Sequence, residues 1–194
     1  MTVESTQQMI LNTALSLIQS KGYNGFSYRT IAERIGIKTA SIHYYFPRKS
    51  DLGKFLIVDY KSRFKDELHH IDRDIDDASM KLQQFTNLFI QTLARGNRMC
   101  LCGMLAIDIV TLPPEIVEEV MGFIRDIEQW LTHVLTRGRE AGSLKFDGPP
   151  EDQAKVVFAV LEGGMMTARI LNDSHHFEQV IRQLLATLNT STGR

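Results

Sequence analysis

The stretch KTASIHYYFPRK, residues 38–49, gathers hydrogen-bonding side chains and cations at close spacing: Lys38, Thr39, Ser41, His43, Tyr44, Tyr45, Arg48 and Lys49. Their chemistry is recognition, not bond-making. The chain shows no Ser-His-Asp order, phosphate loop, metal cluster or paired-carboxylate motif, so an all-α enzyme or carrier is a remote alternative. Ser27 is a good N-cap for a helix whose apolar stripe is Ile31, Ala32 and Ile35, and Gly36 stops it, as a glycine able to take positive φ does. A second helix is expected over about Lys38–Tyr45, ended by Pro47. Two short helices and a tight turn, with a polar, aromatic face on the second, form a helix-turn-helix whose second helix enters the DNA major groove. Ile42 and Phe46 are expected in the core beneath it.

The second chemically competent group is Cys100 and Cys102. A disulfide at Cys-x-Cys spacing would be strained. A metal site needs further ligands, and His69, His70 and His133 are distant in sequence, so no metal or other cofactor is expected. Two readings remain: core filler, or an oxidant- or electrophile-sensitive thiol with Cys100 favoured, its thiolate promoted by Arg95 and Arg98.

The elements that must position these groups are all helical. Apolar residues recur at three and four, and strand-like alternation is nearly absent, so the class is all-α with about nine helices. The expected helices outside the helix-turn-helix are about Ser5–Lys21, Asp51–Ile71 (capped by Ser50), Ala78–Arg95, Met104–Val110, Pro114–Glu140, Glu151–Leu171 and His175–Leu188. Residues 156–161, VVFAVL, are apolar almost all round, which predicts a helix buried on every side. The last helix carries one wide stripe from Phe177 to Leu188. Such surfaces in the last two helices predict a partner subunit, hence a homodimer. Gly163-Gly164 inside a helix costs stability and leaves close packing, a kink or ligand space as open readings.

The net charge of −1 hides an asymmetry: residues 1–65 hold ten Lys/Arg against four Asp/Glu, whereas residues 66–194 hold twelve against nineteen. A basic first third beside an acidic remainder confines contact with a polyanion to that third. No run of about 18 apolar residues predicts a membrane span, and MTVESTQQ lacks the pattern of a signal peptide. A soluble, cytoplasmic protein is expected.

The stretches ALSLIQSKGYNGFSYRTIAERIGI and KTASIHYYFPRKSDL resemble the DNA-binding domain of the TetR family of bacterial transcriptional regulators. The apolar first helix ending in KGY, the Ser-initiated helix containing IA, the Gly-aliphatic turn, the aromatic helix ending YF and the basic turn stand in order. The resemblance implies a helix-turn-helix domain over residues 1–50 and a ligand-binding and dimerisation domain over 51–194. It implies a regulator, expected to be a repressor, that leaves a pseudo-palindromic double-stranded operator when a small-molecule effector binds. Matched to the family motif, Thr39, Ala40 and Tyr44, with Ser41, sit where base readers lie. Ser27, Tyr28, His43, Tyr45 and Lys49 sit where phosphate contacts lie, and Lys38 and Arg48 flank the recognition helix with charge. That helix holds no arginine, so it does not announce bidentate guanine reading. A pocket is expected between the long middle helices, with Phe85, Phe89, Met104, Met121, Phe123, Trp130, Phe158 and Met165 as candidate linings. CLCGMLAIDI is similar to a cysteine-containing subgroup, some members of which sense electrophiles or oxidants through a cysteine, so a switch by oxidation or alkylation of Cys100 is the alternative.

Overall fold

The computed structural model describes residues 5–189, and among these it holds nine α-helices and one short 3-10 helix. In chain order they are α1 (Thr6–Lys21), α2 (Tyr28–Ile35), α3 (Thr39–Tyr45), α4 (Lys49–Asp74), α5 (Ala78–Ala94), α6 (Leu101–Ile107), the 3-10 turn Ile109–Thr111, α7 (Pro114–Glu140), α8 (Pro150–Leu171) and α9 (Ser174–Thr187). The all-α expectation therefore holds. The only extended pairing among the described residues is one isolated bridge between Lys145 and Asn189.

Most helix ends follow local chemistry. Ser5, Ser27, Asp77 and Asp173 cap α1, α2, α5 and α9 through side-chain oxygens that accept backbone N–H groups. Gly36 ends α2 at φ +71, a left-handed conformation that glycine adopts without steric cost.

Two starts differ from expectation. Ser50 does not cap α4, which begins one residue before it. Instead Arg48 N–H donates to Asp51 Oδ2 at 3.0 Å, so the carboxylate three residues on reaches back over the helix start. Helix α6 begins at Leu101 rather than Met104, with Cys100 at its N-cap, and residues 109–111 tighten into the 3-10 turn before Pro113.

The described residues pack as two compact units: 5–63 with Cys100–Phe123, and Phe64–Met99 with 124–189. Packing thus groups α6 and the start of α7 with the N-terminal helices. In the first unit α1 packs on α2, α3 and α6, and Ile10, Ala14, Leu17, Ile31, Ile42, Leu52 and Ile57 are fully buried. In the second, α5, α8 and α9 pack together around Leu82, Phe85, Leu161, Met165 and Phe177.

Helix α8 departs from the all-round burial that its composition predicts. Val157, Phe158, Leu161 and Met165 are buried, but Val156, Ala159, Met166 and Ile170 are exposed, Ile170 at 76%. Positions 156, 159, 163, 166 and 170 fall at helical spacing, so the chain leaves one apolar stripe of α8 uncovered. The Gly163-Gly164 pair divides across it: a Cβ on Gly164 would lie 3.0 Å from the Phe177 ring of α9, while one on Gly163 meets open space.

Candidate nucleic-acid interface

The helix-turn-helix is built on two side chains. Ile42 is fully buried and Phe46 nearly so, with the Phe46 ring edge-on to Phe55 of α4 at 5.7 Å. Each such burial stabilises by about 1.5–3 kcal/mol, which seats α3 on α1 and α2 with its opposite face outward. On that face Lys38, Thr39, Ala40, His43 and Tyr44 are exposed, Ser41 is half-buried, and Tyr44 is the most exposed aromatic of the chain at 82%. Tyr45 packs edge-on against Tyr44 at 5.1 Å, so the two rings hold one another. The face offers a hydroxyl at Thr39, a methyl at Ala40, and a ring with a hydroxyl at Tyr44, which match base-edge acceptors and thymine methyls.

The residues expected at phosphates fall into two groups. Ser27, at the start of α2, lies next to helix N–H groups that lack intrahelical partners. Lys38 stands at the start of α3 with its side chain in solvent. His43 Nδ1 lies 3.2 Å from Pro47 O; a ring that spends its proton there donates to a phosphate through Nε2 only when doubly protonated. The Arg48 guanidinium is held by Asp51 at 2.7 Å, which also draws the Asp51 carboxyl below the usual range.

Tyr28 and Lys49, in contrast, are both turned inward. Tyr28 donates its hydroxyl proton to Phe46 O at 2.8 Å and meets the His43 ring edge-on at 4.8 Å. Burial, then the Asp51 carboxylate and Tyr23, pushes its phenol up to about 12, so it stays a donor. Lys49 donates to Phe26 O at 2.8 Å, with its ammonium 4.2 Å from the Phe26 ring centre and 4.6 Å from that of Tyr23. Burial lowers its pKa, opposed by the Asp108 carboxylate.

Asp108, just after α6, carries no local signal for a role, yet it holds the turn between α1 and α2. Its Oδ2 accepts from Tyr23 N–H at 2.7 Å and from Asn24 N–H at 3.4 Å, and its Oδ1 accepts from the Asn24 amide at 3.2 Å. The Asn24 amide also donates to Thr111 Oγ1 at 2.8 Å. Only the fold brings together residues more than eighty positions apart.

Comparison with known proteins agrees with this geometry. Residues 10–54 match the family model described as bacterial regulatory proteins, tetR family, and residues 78–184 match that of the tetracyclin repressor-like C-terminal domain. The chain belongs to the TetR family. It is similar to a TetR-family transcriptional regulator from Agrobacterium tumefaciens whose crystal structure superposes with a TM-score of 0.90 at 33% identity, covering 94% of this chain and 96% of that one. A curated relative, the HTH-type transcriptional repressor DhaR of Mycobacterium sp. (strain GP1), is 22% identical over 193 residues, 96% of this chain and 93% of that protein. The reduced form of Escherichia coli NemR shares the fold, with a TM-score of 0.81 at 20% identity, over 97% of this chain and 100% of that one. The protein is thus a TetR-type DNA-binding transcriptional regulator.

The effector-site candidates divide between the two units. In the second, Phe85 lies 5.3 Å from both Phe89 and Trp130, Phe89 lies 6.4 Å from Phe158, and Phe64 of α4 joins Phe85 and Phe89 at 6.3 and 6.2 Å. Met165 is fully buried in the same unit. The Trp130 indole N–H donates to Asp72 Oδ2 at 2.8 Å, and Lys81 donates to Asp72 Oδ1 at 2.8 Å. Asp72 lies in the last turn of α4. Met104 and Phe123 are buried in the first unit, whereas Met121, also there, is 51% exposed and turns away from any enclosed lining. Both cysteines are buried and not disulfide-bonded, and the Tyr60 hydroxyl lies 3.9 Å from Cys100 Sγ. In this TetR-family chain the rings of Phe64, Phe85, Phe89, Trp130 and Phe158 form one connected aromatic cluster from α4, α5, α7 and α8.

Proposed function

We propose that the protein is a repressor that binds a pseudo-palindromic operator as a homodimer and releases it when a small-molecule effector binds. The carrying observation is the outward face of α3, with Thr39, Ala40 and Tyr44 exposed on a helix anchored by Ile42 and Phe46. Thr39, Ala40, Ser41 and Tyr44 read base edges. Ser27, Lys38, His43 and Tyr45 hold the backbone, with Arg48 adding charge, and the basic first third of the chain supplies the electrostatic attraction.

The dimer forms through α8 and α9. Supporting this are the uncovered stripe of α8 and an adjoining apolar groove of about 470 Å³ lined by Val156, Val160, Val180 and Leu184. A two-fold dimer presents two copies of α3 to half-sites about one helical turn apart. The effector contacts the aromatic cluster around Phe85, Phe89, Trp130 and Phe158. It acts by binding the operator-incompetent state more tightly, and α4, which starts beside α3 and contributes Phe64 to that cluster, is the element it displaces.

Selection from a random duplex pool at low salt tests this reading. An enriched inverted repeat is expected, bound at one dimer per site. Absence of any enriched sequence would remove the regulator reading of these residues.

A second reading replaces the reversible effector with modification of Cys100, and the Tyr60 hydroxyl beside its sulfur favours it. Unchanged oxidant sensitivity of operator binding in a Cys100→Ser, Cys102→Ser variant excludes it.

A further inference from the structure

Two of the side chains that sequence places at phosphates point into the protein, and they do so as a pair. Tyr28, at the start of α2, donates to the carbonyl of Phe46, the residue that ends α3. Lys49, at the start of α4, donates to the carbonyl of Phe26, which precedes the cap of α2. The segments 26–28 and 46–49 therefore each give one side-chain donor to the other and each receive one. Both acceptors are peptide carbonyls outside the helices. The rings close the same joint: Tyr23 and Phe26 stand edge to face at 5.9 Å beside the Lys49 ammonium, and Tyr28 meets His43 edge-on.

The donor inventory shows what this excludes. A phosphate only accepts hydrogen bonds, and a tyrosine has one proton to give. Tyr28 gives it to Phe46 O. The lysine ammonium has three protons, but one is on Phe26 O and two aromatic rings lie within 4.6 Å of the nitrogen. Reaching a phosphate would break a charge-assisted hydrogen bond and two cation–ring contacts.

We propose that Tyr28 and Lys49 form a reciprocal strap that fixes the distance between the start of α2 and the α3–α4 turn, acting as positioning residues for operator binding rather than as phosphate anchors. Those two segments flank the reading helix and carry Ser27 and Arg48. Their spacing sets whether backbone contacts and base contacts are made in the same register. The inference rests on the DNA-binding reading above and assigns these residues a different part in it.

Salt dependence separates the two roles. A lysine that neutralises a phosphate contributes about 0.9 to the slope of log K against log salt, whereas a lysine that braces the protein contributes nothing. Full-length Lys49→Met and Tyr28→Phe variants are compared with the parent on the selected operator and on unrelated duplex. Tyr28→Phe removes a single oxygen, so it keeps the test alive if Lys49→Met folds poorly. Expected are operator affinities weakened roughly tenfold for Lys49→Met and about threefold for Tyr28→Phe, an unchanged salt slope, and little change on unrelated duplex. Because both bonds join the same two segments, the double variant is expected to lose less than the product of the single losses.

A slope reduced by about 0.9 in Lys49→Met, with equal weakening on both duplexes, would return Lys49 to the phosphate and overturn the strap. So would unchanged affinity with only a smaller active fraction in a stoichiometric titration, which marks a purely structural role. A parent protein that binds no duplex would instead refute the DNA-binding reading itself.

Discussion

Tyr44 is the side chain through which sequence reading is tested most directly. It is 82% exposed, sits on a helix whose other face is buried, and is braced only by the neighbouring ring of Tyr45. It can be removed without disturbing the core. Tyr44→Ala is therefore expected to weaken operator binding by about 1–3 kcal/mol, roughly five- to 160-fold, and to leave binding to unrelated duplex nearly unchanged. Competition between the two duplexes measures this, and equal loss on both would make Tyr44 a backbone contact.

Tyr23 and Tyr28 support a prediction in pH. Burial leads the causes that push both phenols up to about 12 from the ordinary 10.0. The folded protein thus holds these protons where the unfolded chain has released them. Their contribution is complete below pH 10 and is lost as pH rises from about 10 towards 12. Urea unfolding at about pH 9 and about pH 11 should show a smaller alkaline loss of stability in a Tyr23→Phe, Tyr28→Phe variant than in the parent. Equal losses would show that other groups govern alkaline unfolding.

At the scale of elements, the turn between α1 and α2 carries the most constraint. Asp108 holds its Tyr23 and Asn24 amides, and Lys49 holds its Phe26 carbonyl. The turn folds back so closely on α1 that a Cβ on Gly25 would stand 2.2 Å from Lys21 O, a backbone atom with little room to move. Gly25→Ala should cost about 1–3 kcal/mol of stability, the range for forced overpacking, and should weaken operator binding with it because Ser27 and Tyr28 follow directly. Gly36→Ala makes a useful contrast: a Cβ there meets nothing within 4 Å, so only its φ of +71 is penalised, at about 1–2 kcal/mol. Denaturant melts of both variants check the pair, and an operator affinity for Gly25→Ala equal to the parent's would separate the turn from DNA binding.

The same turn shows how far sequence carries. Ser27, Gly36, Asp77 and Pro150 act through neighbours a few residues away, so the ends of α2, α5 and α8 were legible within a residue or so. The polar, aromatic face of α3 was legible from its residue types, while its assignment to base reading came from the resemblance to the family motif. The start of α4 was missed because two local rules compete there, and the Asp51 carboxylate prevails over the Ser50 hydroxyl. The Asp108 bonds, the inward turn of Lys49 and the Asp72–Trp130 bond join residues 84, 23 and 58 positions apart, and no local spacing signals them.

For the whole molecule, composition alone misleads about α8. VVFAVL predicts burial on every side, yet within this chain Val156 is 48% exposed and Ile170 is 76% exposed. The uncovered stripe flanks a groove lined by three valines and Leu184 together with His176, Gln179, Gln183 and Thr187, and in the proposed dimer a second copy of the chain covers both about a two-fold axis. One substitution separates the copies while leaving the subunit intact. Val156 points outward and lines that groove, so Val156→Arg costs little within one chain. Placed in a dimer interface, it brings two unpaired guanidinium groups into an apolar patch. The variant is expected to sediment as a monomer at concentrations where the parent is a dimer, with an unchanged melting profile of the isolated subunit. Operator affinity should fall steeply because one copy of α3 engages one half-site, whereas binding to a single half-site should persist at its intrinsic strength. A Val156→Arg protein that remains dimeric and binds the full operator as the parent does would move the interface away from α8 and α9.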